Sequence, residues 1–276
     1  MLHAMTDAEG APANAGQPPI AELTGLTKSY GGFVAVRDLS LQVQRGEIVA
    51  LLGPNGTGKT TTIRMLMGIL SPSRGEARIA GLDCFAQRAE VMRHVGYLPD
   101  EPVFYDHLRG REILDFCGTM HGVPPALQRE RVALLTQRLD LAEALEEYAV
   151  NYSMGMKKKL ALVAAMLHEP DLLILDEPTN GLDPVVTRTL LEMVREVAAA
   201  GAAVFYSTHL LDQAERLCHR VAIVHRGRLC ALGTPGELRE TLAGGGTLED
   251  VFFRVTADQA AATQGTETAV DEDQAP

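Results

Sequence analysis

A nine-residue stretch, Gly53-Pro54-Asn55-Gly56-Thr57-Gly58-Lys59-Thr60-Thr61, is the part of this 276-residue chain best suited to chemistry. Glycines at 53, 56 and 58 let backbone N–H groups turn inward and wrap phosphate oxygens. Lys59 adds a positive charge near the terminal phosphates, and Thr60 offers a hydroxyl to Mg²⁺. A helix starting near Lys59 would point its positive end at the same anion. The motif alone does not decide the matter, because an ordinary glycine-rich strand-to-helix turn has a similar composition. A second feature narrows the choice. Leu172-Leu173-Ile174-Leu175 runs directly into Asp176-Glu177. Four apolar residues read as a buried strand, and two carboxylates emerge at its C-terminal end, where open α/β sheets hold their ligands. In such a place Asp176 would hold Mg²⁺, through water, and Glu177 would orient an attacking water and accept its proton. A solvated pair of loop carboxylates is the plain alternative, and the phosphate cradle weighs against it.

These groups need a scaffold that brings them to one edge. Short apolar runs at Gly46–Leu52, Leu172–Leu175, Ala203–Tyr206 and Val221–His225 read as strands. Helical patterns follow at Lys59–Leu70, Pro184–Ala199 and Leu210–Cys218. That alternation predicts an α/β fold with a mainly parallel sheet and helices on its faces. Ala21–Val43 reads as antiparallel strands turning at Gly31-Gly32. The middle, about 108–167, has helical periodicity and reads as an insertion between the halves of the core. Leu248, Val251, Phe252 and Val255 share one face of a short helix, which would pack on the core or present a dimer or permease contact.

Three further segments identify a family. Asn151–Leu160 reads NYSMGMKKKL, Leu172–Pro184 reads LLILDEPTNGLDP, and Ser207-Thr208-His209 closes the set. Together with GPNGTGKTT, in this order and spacing, they resemble the ATP-binding cassette (ABC) transporter ATPase subunits. The match covers about residues 20–256. The YSMGM form and the closing TLEDVFFRVT are similar to the bacterial exporter branch that works with a separate permease.

The resemblance implies a P-loop NTPase core with an antiparallel strand flank and a helical signature subdomain at about 97–167. It implies ATP and Mg²⁺ as cofactors, hydrolysis of ATP, and two partners: an integral membrane permease and a second ATPase subunit. Tyr30 matches the aromatic that stacks on adenine, and residues 53–61 match the phosphate loop. Ser153 and Gly155 match signature residues that close on the γ-phosphate held by the other subunit. The physical reason would be a helix N-terminus offering N–H groups and a hydroxyl. Gly181-Leu182-Asp183 matches the loop linking the two sites, and Asp183 also reads as a helix N-cap before Pro184. His209 matches the switch histidine beside the γ-phosphate. Two departures stand out. Met154 and Met156 replace smaller or polar signature residues. Asp100, in Tyr97-Leu98-Pro99-Asp100, stands where most members carry glutamine. Its shorter, charged side chain could approach the metal, yet it adds negative charge beside Asp176 and Glu177, so its role stays open. Lys157-Lys158-Lys159 reads as a solvated helix face or as a favourable field near the nucleotide.

Composition limits the alternatives. The chain is 46 % hydrophobic and 22 % charged, which supports a sizeable core and excludes fibrous classes. No apolar run approaches the roughly 18–20 residues of a membrane span. The beginning of the chain has no basic n-region of a signal peptide, and the expected place is cytoplasmic, peripheral on the cytoplasmic face of the membrane. The net charge is −11, and seven of those charges lie in residues 1–19 and 257–276, both expected to be disordered tails. The mildly acidic body argues against nucleic acid as a partner. Cys84, Cys117, Cys218 and Cys230 form no C-x-x-C pair, which fits buried thiols better than disulfides or zinc.

Three rivals meet specific objections. Tandem translation factors need two motif sets, and chromosome proteins need very long coiled coils, whereas Asp100 and Ser153 are only 53 positions apart. A module with dead chemistry would not need Lys59, Asp176, Glu177 and His209 together. The sequence therefore points to an ATP-hydrolysing subunit driving transport, export rather than import, through a separate permease.

Overall fold

A computed structural model of the chain describes residues 18–267. Strands β1 (Ala21–Tyr30) and β2 (Phe33–Val43) form an antiparallel hairpin around Gly31, whose φ of +57° suits a residue without Cβ. With β4 (Arg74–Ile79) and β5 (Leu82–Asp83) they make a four-stranded flank in the order β2-β1-β4-β5.

The larger sheet carries the candidate site segments. It contains β3 (Ile48–Leu52), β6 (Val95–Leu98), β7 (Leu172–Asp176), β8 (Ala203–Thr208), β9 (Arg220–His225) and β10 (Arg228–Gly233). Their order is β10-β9-β3-β8-β7-β6. All neighbours pair in parallel except β10, which runs antiparallel to β9. Both faces are covered, so the strands read as continuous apolar runs rather than alternating ones. In β3, Ile48, Ala50 and Leu52 enter one core, while Val49 and Leu51 enter the other.

The helices follow from local signals. Helix α1 (Lys59–Leu66) ends before Gly68, whose φ is +61°, earlier than the periodicity suggested. A short α2 (Arg88–Val91) precedes β6. Helices α3 (Gly110–Met120), α4 (Pro125–Arg138) and α5 (Met154–Met166) build the insertion, which begins after β6 has joined the sheet. Helix α6 (Pro184–Ala199) is capped by Asp183, whose Oδ1 accepts from Val185 N at 2.9 Å and Val186 N at 3.0 Å. Then come α7 (Leu211–Leu217), α8 (Pro235–Ala243) and α9 (Leu248–Glu267). Leu248, Val251 and Val255 of α9 are buried in the core, with Phe252 packed beside them. The backbone of α9 stays helical past Thr256, into the segment expected to be a disordered tail. Of the two expected tails, residues 1–17 and 268–276 lie outside the described residues. Cys84, Cys117, Cys218 and Cys230 are all free thiols.

Candidate nucleotide site

Four neighbouring parallel strands, β3, β8, β7 and β6, release four candidate segments at the same edge of the sheet. They lead respectively into Gly53–Thr61, His209, Asp176-Glu177 and Asp100. This is the strand end at which α/β sheets bind ligands.

The loop after β3 depends on its glycines. Gly56 and Gly58 have φ of +81° and +100°, and Gly58 is the N-cap of α1. A Cβ at Gly53 would lie 2.4 Å from the Val224 carbonyl oxygen, and one at Gly58 would lie 2.5 Å from that of Ala35. Thr57 Oγ1 donates to Pro54 O at 2.9 Å and ties the loop to itself. Pro54, Asn55 and Gly56 are exposed at its tip, while Thr61 sits half-buried in α1. Lys59 is buried and folded back along the loop. Its Nζ donates to Gly53 O at 2.6 Å and Pro54 O at 3.2 Å.

The same ammonium lies 3.2 Å from Glu177 Oε1. The other oxygen, Oε2, lies 2.9 Å from His209 Nδ1. Glu177 is thus buried between a lysine and a histidine from two different loops. Its backbone has φ of 45°, the left-handed region that costs a non-glycine residue energy and that clusters at functional positions. Glu177 N donates to Ser207 O at 2.9 Å, which fastens this strained turn to β8. Asp176 Oδ2 accepts from Thr60 Oγ1 at 3.1 Å. Its Oδ1 is buried with no hydrogen-bond partner. Burial raises the Asp176 carboxyl above its ordinary value, opposed by the hydrogen bond from Thr60 and aided by the negative charges of Asp100 and Glu177.

Ser153 and Gly155 form a second cluster, on the N-terminus of α5. Ser153 is exposed, and its Oγ accepts from Met156 N at 3.2 Å as an N-cap. A Cβ on Gly155 would meet Gly181 O at 3.6 Å and Leu182 Cδ2 at 3.8 Å. The signature segment therefore lies beside the loop that holds Gly181 and Leu182. Tyr30 ends β1 half-exposed, with Lys28 Nζ 5.3 Å from the centre of its ring.

The expected solvated face at Lys157–Lys159 is corrected at its middle residue. Lys158 is 1 % exposed, inside the domain. Its Nζ donates to Glu177 O at 2.8 Å, Asn180 O at 2.9 Å and Asp100 Oδ1 at 3.3 Å. Burial pushes the ammonium below its ordinary value, against the pull of Asp100. Asn180 Nδ2 also donates to Asp100 Oδ1, at 3.3 Å. The position was recoverable from spacing, because Lys158 shares a helix face with Leu162 and Ala165, at i+4 and i+7. Gln213 was another residue the sequence did not reveal. Its Oε1 accepts from Thr179 Oγ1 at 3.0 Å and Tyr206 OH at 2.8 Å, joining the loop after β7 to α7.

The family model described as ABC transporter matches residues 36–180, which include the cradle, the signature and both carboxylates. The chain belongs to the ABC transporter family. It is 40 % identical over 221 residues to the daunorubicin/doxorubicin resistance ATP-binding protein DrrA of Streptomyces peucetius, across 80 % of this chain and 67 % of that one. It is 34 % identical over 243 residues to the probable multidrug ABC transporter ATP-binding protein YbhF of Escherichia coli K12. That match takes in 87 % of this chain but only 42 % of YbhF, so the chain spans less than half of that relative. A solved ATP-binding subunit of an ABC transporter superposes with a TM-score of 0.83 at 36 % identity, covering 86 % of this chain and 99 % of the other. The fold described above, an α/β core with a parallel sheet and an antiparallel flank, is that of the ATP-binding subunits of ABC transporters.

Proposed function

We propose that this ABC ATPase domain powers transport, in the direction of export, through a separate integral membrane permease, working as a pair of ATPase subunits on the cytoplasmic face of the membrane. The observation that carries the reading is the meeting of Lys59, Thr60, Asp176, Glu177 and His209 at the ends of adjacent strands. That set has an anion cradle, a hard-oxygen metal position and a water-activating carboxylate, all that phosphoryl transfer to water asks of a protein. No helix among the described residues is long and apolar enough to cross a membrane, which is why the transport path is assigned to another chain. The resistance and multidrug names of DrrA and YbhF favour export.

ATP would stack its base on Tyr30 and lay its phosphates in the loop of residues 53–61. Backbone N–H groups and Lys59 would neutralise them, with Lys59 exchanging its loop carbonyls for phosphate oxygens. Mg²⁺ fits the residues present: Thr60 Oγ1 and the unpartnered Oδ1 of Asp176 are hard oxygen donors beside the phosphate position. When bound, it would withdraw charge from the β- and γ-phosphates. Glu177 would orient the water and take its proton at the carboxylate, held in place by His209. Ser153 and Gly155 would complete the site of the partner subunit, closing over its γ-phosphate. Closure would exclude bulk water and couple hydrolysis to a mechanical stroke. Asp183 and the Gly181 turn would link one site to the other.

The test is Mg²⁺-dependent ATPase activity of the purified chain beside Lys59→Ala. That variant is expected to bind ATP poorly and to lose turnover. Undiminished affinity and turnover would contradict the proposed role of the cradle.

A further inference from the structure

The ammonium of Lys158 stands at the meeting point of three segments that the proposed chemistry treats separately. It starts from α5, the helix whose N-terminus carries Ser153. It spends its three N–H donors on the loop after β6, through Asp100, and on the loop after β7, through the carbonyls of Glu177 and Asn180. A fully buried lysine is costly unless paired and hydrogen-bonded, and these three contacts supply its pairing and its hydrogen bonds. The carbonyl at 177 belongs to a residue in the left-handed region. Such a turn reverts to an ordinary conformation unless its surroundings hold it. Its N–H is held by Ser207 and its C=O by Lys158. Those two bonds fix the peptide groups on either side of the Cα from which the Glu177 side chain reaches Lys59 and His209.

From this geometry we infer that Lys158 is a positioning residue for Glu177, and that Asp100 serves as its counter-charge rather than as a group on the metal. The departure from glutamine at 100 then has a local cause. A buried ammonium next to Asn180 calls for a carboxylate, and the two charges stand or fall together. The lysine also gives the Ser153 helix a rigid connection to the water-orienting carboxylate of its own chain, through a single side chain.

The inference rests on the ATPase reading, and its test separates the two. Wild-type activity that depends on Lys59 is established first. Lys158→Met then removes all the donors at nearly constant volume. It is expected to lower kcat at least about tenfold, the scale of coupling between contacting residues, while KM for ATP changes less than about twofold because the cradle is intact. Asp100→Asn alone strands the ammonium and is expected to lower kcat as well. In the Lys158→Met background the same Asp100→Asn change should cost nothing further, and the half-saturating Mg²⁺ concentration should stay at the wild-type value throughout. Should Lys158→Met not fold, Lys158→Gln, which keeps two amide N–H donors but no charge, replaces it in the same cycle. Equal losses from Asp100→Asn in both backgrounds, or a raised Mg²⁺ requirement, would overturn the counter-charge role. A KM rise matching the kcat loss, or an unchanged kcat, would overturn the positioning role. If the wild type shows no hydrolysis, the ATPase reading fails on its own. The positioning is then read from amide hydrogen exchange of residues 177–181, which Lys158→Met should accelerate; unchanged exchange would refute it.

Discussion

Replacing Glu177 with glutamine removes one charge at nearly constant shape, which makes it the sharpest probe of the chemistry. The backbone bonds at 177, to Ser207 O at 2.9 Å and from Lys158 Nζ at 2.8 Å, do not involve the side chain and persist. Lys59 loses a carboxylate at 3.2 Å but keeps Gly53 O and Pro54 O. The stability cost should therefore stay near the value of one charged hydrogen bond, about 1.5–3 kcal/mol. It should not reach the roughly 3–5 kcal/mol of a stranded buried charge. The kinetic cost is different in kind. The substituted amide cannot take a proton from water, and a positioned base contributes on the order of 10²–10⁴ in rate. The expected result is a folded protein with ATP affinity at or above wild type, turnover lowered about 10²–10⁴-fold, and an ATP-bound pair that persists. Coupled-enzyme ATPase assays, calorimetric titration with ATP and size-exclusion chromatography with light scattering read these three quantities. Turnover within threefold of wild type would refute the assignment of the base. Loss of ATP binding in step with loss of turnover would show that Glu177 supports the cradle instead.

Two predictions concern the scaffold. Leu248 is fully buried where α9 meets the core, so Leu248→Ala should cost about 2–5 kcal/mol, seen as a lower urea midpoint; no shift would mean that α9 does not dock as described. Burial, with the neighbouring His121 ring stacked at 3.7 Å, lowers His168 to about 4, so the folded protein binds this proton less readily than the unfolded chain. Its contribution is present above the ordinary histidine range and is lost as pH falls from about 6.5 towards 4. Replacing His168 with glutamine should flatten that part of the stability–pH curve, and an unchanged slope would exclude the histidine as its source.

How much could be read in advance depended on how local the cause was. Strands β3, β7, β8 and β9 were visible because both sheet faces are covered, leaving unbroken apolar runs. The Asp183 cap was visible because Asp before Pro at a helix start is a local signal. Strands β4 and β10 were missed: Arg74–Ile79 and Arg228–Gly233 mix charges and glycine, and they are strands because neighbours supply the ladder. The run of three lysines misled although the spacing of Lys158 with Leu162 and Ala165 marked a buried face, because the partners that make a buried charge tolerable are distant in sequence. Charge suggested solvent, yet Lys158 is held inside by partners 58, 19 and 22 positions away. The same distances hid the role of Asp100. The helical continuation of α9 past Thr256 went unseen because Ala, Gln and Thr carry no apolar stripe there.

The central claim is that each working site is shared by two chains, with Lys59 from one and Ser153 from the other. The direct test mixes a Lys59→Ala chain with a Ser153→Arg chain. Each variant alone has two broken sites. In a mixed pair, one site combines both defects, while the other joins an intact cradle to an intact signature. ATPase activity is measured for the mixture and for each variant alone, with mixed pairs isolated through two affinity tags. The account predicts that isolated mixed pairs recover a substantial part of the wild-type rate, while each variant alone stays at background. Mixed pairs that form in full and remain inactive would contradict it.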